Sequence, residues 1–390
     1  LPLVRGLSAK GWELFILPEA NLREVAIIDG VSLVAARSLG EITGWLQNGQ
    51  PITPHPKTPW QPGPCAGRVD LAEIKGQAVA KRALEIAAAG RHNVLFMGCP
   101  GTGKSMLAQA LPSIMPAWTV DEALDASQVH SLLSADESGG LLASRPFRSP
   151  HHTTSPAALI GGGDVPMPGE ISLAHRGVLF LDELPEFRRD ALEALRQPLE
   201  EGWVHVNRAR GRASYPSDFL LVAAMNPCPC GNRGHPKKEC LCSAYRIERY
   251  LGRLSAPLVD RIDLHVELPV LDVRELFGES GQSETSGCVR ERVERAWRIQ
   301  RDRHARRVVR AAANARLRPH DLQRVCALDS AGLSLLRLAV DRLGLSARAF
   351  DKIRRMARTI ADLDGAEAIA DRHISEAVQY RALDRSRPVR

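Results

Sequence analysis

Residues 94–105 read VLFMGCPGTGKS, and nothing else in the chain restricts its fold so tightly. The apolar run Val94 to Met97 has the composition of a buried strand, and Met106 to Leu111 that of a helix. Between them Gly98, Cys99, Pro100, Gly101, Thr102, Gly103, Lys104 and Ser105 fit the spacing G-x-x-x-x-G-K-[ST]. Glycines at 98, 101 and 103 let backbone N–H groups turn toward one point at close range, which a Cβ would obstruct. A helix starting behind them adds its partial positive charge. Lys104 is placed to reach the outer phosphates of a nucleotide, and the Ser105 hydroxyl to ligate Mg²⁺. The alternative, a chance Gly-rich turn, leaves strand, loop, Lys-Ser pair and helix in this order unexplained. The stretch predicts a P-loop on an α/β core that binds nucleoside triphosphate.

With 390 residues the chain is long enough for two to three domains. Its apolar fraction of 44% argues against disorder, while only 5% aromatic residues leave the cores to Leu, Val, Ile and Ala. No apolar run approaches the roughly 18 residues of a membrane helix, the longest being Phe219 to Met225. No basic segment followed by an apolar one marks secretion, so a cytoplasmic protein is expected. The chain opens on Leu1 rather than Met, which leads us to expect sequence ahead of it. A net charge of +7 permits nucleic-acid binding without establishing it. Four of the eight cysteines fall between 228 and 242, and in a P-loop chain without an export signal that favours a metal site over disulfides.

Residues 1–47 read as the end of a small α/β domain, with Leu14–Leu17 and Val25–Ile28 strand-like and Ser38–Leu46 a short amphipathic helix. Six prolines between Pro51 and Pro64 exclude a helix or central strand and make a linker. Regular text resumes at Asp70, leading through Gln77 into an Ala-rich helix, Ala78–Ala89. Residues 118–176, rich in Ser, Gly, Pro and His, read as irregular, and so long a stretch inside a compact domain is normally functional.

The next firm element is GVLFLDE, 177–183, a buried strand ending in two carboxylates. Beside a P-loop, Asp182 would hold the Mg²⁺ shell and Glu183 would orient the attacking water. The alternative is a strand ending in solvated acids. Arg188–Glu200 reads as a helix. Residues 203–216 alternate apolar and polar around Ala209-Arg210-Gly211, a β-hairpin signal with Arg208, Arg210 and Arg212 near its tip. Phe219–Met225 is a further buried strand ending at Asn226, a residue suited either to the γ-phosphate water or to a turn before Pro227.

Two C-x-C pairs follow, Cys228 with Cys230 and Cys240 with Cys242. Four thiolates would satisfy a tetrahedral structural Zn²⁺, although C-x-C is tighter than the usual C-x₂-C. Free thiols, and disulfide or redox chemistry, stay open alongside it. His235 could replace one ligand, but a lone loop histidine is more often solvated. Farther on, Asp260-Arg261 stands just ahead of a strand within 257–269, and polar sequence from Glu279 to Gly287 marks a second boundary. Residues 290–318 carry eleven Arg against three acids. Arg295, Arg298 and Arg301 share one helical surface, either a solvated face or a nucleic-acid contact. Residues 319–385 read as a helical bundle with apolar Leu322, Val325, Leu335, Leu338 and Ile353.

The order of P-loop, paired carboxylates, hairpin, Asn-terminated strand, Asp-Arg and helical domain resembles AAA+ ATPases. More narrowly it is similar to the clade of magnesium-chelatase ATPase subunits and MCM helicases, whose extra hairpin before the Asn-bearing strand is matched by 203–216. It most resembles the ComM/YifB family of Mg-chelatase-like proteins. The residues that carry this are RPFRSPHHTTSP (145–156), LIGGGDVPMPGE (159–170), LDELPEF (181–187), AAMNPCPCG (223–231), YLGRLSAPLVDRIDLHVELP (250–269) and LSARAFDKIRRMARTIADL (345–363).

The resemblance implies an α/β AAA+ core over 69–280, with a parallel sheet and a presensor hairpin, and a C-terminal helical lid over 281–390. Ahead of the Pro-rich linker, 48–68, residues 1–47 would be the C-terminal part of a Lon-protease-like domain, with no Ser-Lys pair to support proteolysis. Asn226 would be sensor 1, Arg261 an arginine finger acting in trans, and Arg348 sensor 2 on the lid. A finger serving a neighbour requires a heterologous ring, so a homo-hexamer is expected. The expected function is an ATP- and Mg²⁺-dependent motor on single-stranded or branched DNA, a helicase or branch-migration factor in natural transformation and recombination. Arg208, Arg210 and Arg212 would grip the phosphates. The alternative is a magnesium-chelatase-type ATPase that remodels a protein partner for metal insertion. A nucleotide-dependent scaffold without turnover is disfavoured by the presence of both Asp182 and Glu183.

Overall fold

The computed structural model describes residues 1–48, 53–63, 69–133, 141–208, 211–272 and 283–381. Its centre is a five-stranded sheet: β1 Val94–Gly98, β2 Phe147–Arg148, β3 Val178–Leu181, β4 Leu220–Met225 and β5 Leu264–Leu268. The strands lie in the order β5-β1-β4-β3-β2, and every pairing is parallel. Parallel strands need crossovers that cover both faces, so their sequences lose the polar alternation and become continuous apolar runs. VLFL at 178–181 and LLVAAM at 220–225 are accordingly buried at every position. The register sets Leu264 opposite Val94 and Met225 opposite Met97, so strands start on one edge and end on the other. The residues that follow β1, β3 and β4 therefore converge on the carboxyl edge, where open parallel sheets bind ligands.

Helix Ala78–Gly90 and the P-loop helix Lys104–Ile114 share a core with one face of the sheet. The C-terminal helices join the same core, and one apolar cluster runs from Leu71 through Phe96 and Trp297 to Tyr380. Helix Ser286–Ala305 buries Val289, Val293, Ala296, Trp297 and Gln300. Trp297 and Gln300 donate to the carbonyls of Ala88 and Ala89 at 3.0 and 2.9 Å. These lie in the last turn of Ala78–Gly90, where carbonyls lack partners within the helix. Much of the arginine on the long helix is spent internally: Arg292 pairs with Glu85, Arg303 with Asp362, and Arg301 stacks over Trp297 at 4.9 Å. Of the three arginines expected on one surface, Arg295 and Arg298 remain exposed.

Several expectations are corrected. The supposedly irregular 118–176 contains helix Val120–His130, started by a capping box in which Thr119 and Glu122 satisfy each other's N–H groups. Val25–Ile28 is not a strand: Leu22, Val25 and Ile28 bury one side of a short helix and its exit, and the strand Leu14–Pro18 pairs instead with Ser32–Ala36. The span Arg188–Glu200 breaks into two helices, Arg189–Ala194 and Arg196–Glu201. Leu338 faces outward at 47% exposure. The hairpin Trp203–Arg208 with Gly211–Pro216 forms where expected, while Arg210 lies outside the described residues, as do residues 279–282 of the second boundary, whose last residues, Ser286 and Gly287, already belong to the long helix.

Candidate nucleotide site

β1 ends at Gly98, where a Cβ would lie 2.8 Å from Thr102 Oγ1 and 2.9 Å from the Leu268 carbonyl oxygen. Gly101 and Gly103 adopt φ of +80° and +88°, yet a Cβ at either would meet nothing within 4 Å, so that side of the loop is open. Thr102 Oγ1 donates to the Cys99 carbonyl at 2.9 Å. Gln77 Nε2 donates to the carbonyls of Thr102 and Pro269, tying the loop to the sequence after β5.

Lys104 Nζ donates to the carbonyls of Gly98 and Cys99 at 2.8 and 2.9 Å and to Asn226 Oδ1 at 3.2 Å. Burial lowers the pKa of this ammonium, opposed by the Asp182 carboxylate. Ser105 Oγ donates to Asp182 Oδ2 at 2.9 Å, and Asp182 Oδ1 accepts the Glu183 N–H at 2.9 Å. Glu183 has a φ of +52°, uncommon outside glycine, and its carboxylate meets His152 Nδ1 at 3.0 Å. Sequence reasoning did not assign His152 a role; its one signal was its position within RPFRSPHHTTSP. An open cradle, an ammonium and a hydroxyl–carboxylate pair are the donor set a nucleotide needs. The loop amides and Lys104 would hold the phosphates, and Ser105 and Asp182 would hold Mg²⁺, which neutralises phosphate charge.

Arg261 and Arg348 lie elsewhere. Asp263, just before β5, donates its N–H to the Asn93 carbonyl at 3.0 Å, which puts this segment on the amino edge of the sheet. Arg261 donates to the Pro257 carbonyl at 2.6 Å and pairs with Glu200, whose carboxyl that hydrogen bond lowers. Arg348 is exposed one turn before Lys352, and Lys352 pairs with Asp263 at 2.9 Å. Both arginines line one cleft of about 1210 Å³. In the same cleft Asp218 is held by Arg91, Arg176 and Arg316 at 2.8–3.1 Å. Burial pushes its carboxyl up, but the arginines, Arg91 foremost, overcome that and hold it well below the carboxylate range.

On the hairpin, Arg208 and Arg212 are exposed. Arg208 reaches the Gly161 carbonyl at 3.4 Å and Tyr215 donates to the Pro166 carbonyl at 2.6 Å, so this hairpin leans on a smaller one, Gly161–Gly162 with Met167–Pro168. The sulfurs of Cys228, Cys230, Cys240 and Cys242 lie within 4.8 Å of one another. His235 is not among them: its Nδ1 accepts the N–H groups of Lys237 and Lys238.

A P-loop, its hydroxyl–carboxylate partner and a polar strand tip, aligned on a parallel sheet with a helical region packed behind, define an AAA+ ATPase of the magnesium-chelatase-like class. Family models agree: "Magnesium chelatase, subunit ChlI" matches residues 70–276, and "Magnesium chelatase, subunit ChlI C-terminal" matches 283–381. The chain is 42% identical to the uncharacterized protein YifB of Salmonella typhimurium, covering 95% of this chain and 71% of that protein. It is 42% identical to the competence protein ComM of Haemophilus influenzae, over 95% of this chain and 72% of that one. A magnesium-chelatase 67 kDa subunit of Heliobacterium mobile is 27% identical over 54% of this chain and 34% of its own length. The chain belongs to the ComM/YifB family of magnesium-chelatase-like proteins.

Proposed function

We propose that this chain is a cytoplasmic, ATP-hydrolysing DNA motor that works as a homo-hexameric ring, a ComM-like helicase or branch-migration factor in natural transformation and recombination. The observation that carries the reading is the division of the nucleotide machinery. Lys104, Ser105, Asp182, Glu183 and Asn226 stand on the carboxyl edge, while Arg261 and Arg348 stand on the amino edge, beyond reach of their own P-loop. Within one chain such a site is incomplete, and a neighbour in a heterologous ring completes it. In this reading Glu183 orients water, Asn226 and Lys104 contact the γ-phosphate, and the neighbour's Arg261, with Arg348 beside it, stabilises the transition-state charge. The division into core 69–280, helical region 281–390, linker 48–68 and a Lon-protease-like remnant 1–47 belongs to the same proposal. No helix among the described residues is long and apolar enough to cross a membrane.

The paired hairpins present Arg208 and Arg212, with Arg210 between them in sequence, to DNA phosphates. Such contacts are sequence-independent and salt-sensitive. The deciding experiment is the ATPase rate with and without single-stranded, duplex and branched DNA; stimulation by DNA is expected. The two chelatase family matches favour a second reading, remodelling of a protein partner for metal insertion, and indifference of the rate to all three DNAs would favour it over the motor. Arg208→Ala/Arg212→Ala should flatten the slope of log single-strand affinity against log salt by roughly 0.7 per lost contact. An unchanged slope and affinity would remove the hairpin from the DNA path.

A further inference from the structure

Residues 226–243 contain no helix or strand, and within them only Cys228 and Gly231 are buried. A segment of this kind has almost no core of its own to order it. Its cysteines nevertheless converge: Cys228 Sγ lies 3.4 Å from Cys230 Sγ and 3.6 Å from Cys240 Sγ, and Cys230 and Cys240 are 3.7 Å apart. Zinc–sulfur bonds of about 2.3 Å directed to tetrahedral corners place sulfurs about 3.8 Å from each other. The spacing is far too long for a disulfide, about 2.05 Å. It is also too compact for an iron–sulfur cluster, whose several irons spread the four thiolates farther apart. A single tetrahedral ion is the species that fits.

The surroundings fit a thiolate-bound ion as well. The Arg233 N–H points at Cys228 Sγ at 3.4 Å, the kind of outer contact that steadies a metal thiolate. Gly231 and Gly234, at φ of +79° and +81°, make the sharp turns that let C-x-C spacing converge, and the Gly231 N–H closes the first turn on the Cys228 carbonyl at 3.0 Å. Arg233, Lys237 and Lys238, between the two cysteine pairs, offset the negative charge of four thiolates around a divalent cation.

The segment also touches the nucleotide site. Cys228 follows Asn226 by two residues. A Cβ at Gly231 would lie 2.7 Å from Pro100 of the P-loop, and Cys99 Sγ approaches the Arg233 carbonyl at 3.8 Å. The geometry points to a zinc ion held by Cys228, Cys230, Cys240 and Cys242, closing this segment into a brace that supports the P-loop and Asn226 from outside. The brace rests on the P-loop being the nucleotide site; the zinc does not. The ion is structural, with four protein ligands and no open position for a water.

The test separates the two parts. Protein purified without chelators is assayed for metal by plasma emission, and one zinc per chain is expected. Exchange with Co²⁺ should give the thiolate charge-transfer and intense d–d absorption of a tetrahedral four-sulfur site. Cys230→Ser and Cys242→Ser should each lose most of the zinc and the cobalt spectrum while far-ultraviolet circular dichroism is retained. Substoichiometric metal with no cobalt spectrum, or iron in place of zinc, would overturn the site whatever the nucleotide data show. In the second arm, zinc is withdrawn from wild-type protein with an organomercurial, and affinity for a fluorescent ADP analogue should fall about 10-fold. Loss of zinc with unchanged ADP affinity would overturn the brace. Because the zinc readout needs no turnover, its failure is distinct from failure of the ATPase reading.

Discussion

The separation of Arg261 from its own P-loop yields a sharp prediction. β1 and β5 run in parallel from the amino edge, where Arg261 lies, to the carboxyl edge, where Gly98 begins the loop. Five strand residues span roughly 15 Å, more than an arginine side chain can cover. Arg261→Ala should therefore leave nucleotide binding to its own loop intact and abolish turnover, by roughly 10³-fold or more if the guanidinium acts as a finger, about 4 kcal/mol of transition-state energy. The fold should tolerate the change. The pair with Glu200 joins a largely buried guanidinium to a carboxylate at 62% exposure, and solvent screening of that carboxylate keeps the loss to about 1 kcal/mol. The informative assay mixes two inactive proteins. Arg261→Ala keeps a working loop, and Lys104→Ala keeps a working finger. In randomly mixed rings at equal concentration about one interface in four joins an intact loop to an intact finger, so roughly a quarter of wild-type ATPase should return. No recovery after verified subunit exchange would refute action across the interface, and full activity of Arg261→Ala alone would refute the role altogether.

Other perturbations follow from single contacts. Gly98→Ala forces a Cβ against Thr102 Oγ1 and the Leu268 carbonyl, an overpacking cost of about 1–3 kcal/mol; a lowered Tm and loss of stabilisation by Mg-ADP are expected, and an unchanged melt would contradict it. His152→Ala releases Glu183 from its partly exposed contact with His152 Nδ1, about 0.2–1 kcal/mol, so kcat without DNA should rise by up to about fivefold; a fall would show that His152 positions Glu183 for catalysis. Burial holds His175 down at about pH 4, below the roughly 6.5 of an unfolded histidine. The unfolded chain therefore binds the proton first, and this stability is complete above about pH 6.5 and lost as pH falls toward 4, about 3 kcal/mol in all. Urea unfolding at pH 7.5 and 4.5 should show the loss, His265 adding in the same direction through its burial, whereas equal midpoints would contradict it.

The sheet and the P-loop were legible because their physics is local. Buried parallel strands advertise themselves as apolar runs such as VLFL and LLVAAM, and the phosphate loop needs its glycines at fixed places. Helix Val120–His130 was missed although its capping box, Thr119 with Glu122, stands in the sequence, because the polar and small residues nearby hid it. What sequence could not supply was distance. Nothing local in RPFRSPHHTTSP says that His152 touches Glu183, or that Arg348 reaches the cleft lined by Arg261 from a helix far down the chain. The arginines of 290–318 show the opposite failure. Their charge is visible, but the pairing of Arg292 with Glu85 and of Arg303 with Asp362 depends on tertiary packing.

The apolar cluster that runs unbroken from Leu71 to Tyr380 has a mechanical consequence. A helical region joined to its sheet by Trp297, Gln300 and a shared core cannot swing away without breaking that packing. In the proposed ring each chain would then turn as a solid cog, and the stroke driven by hydrolysis would be taken up at the seams between cogs.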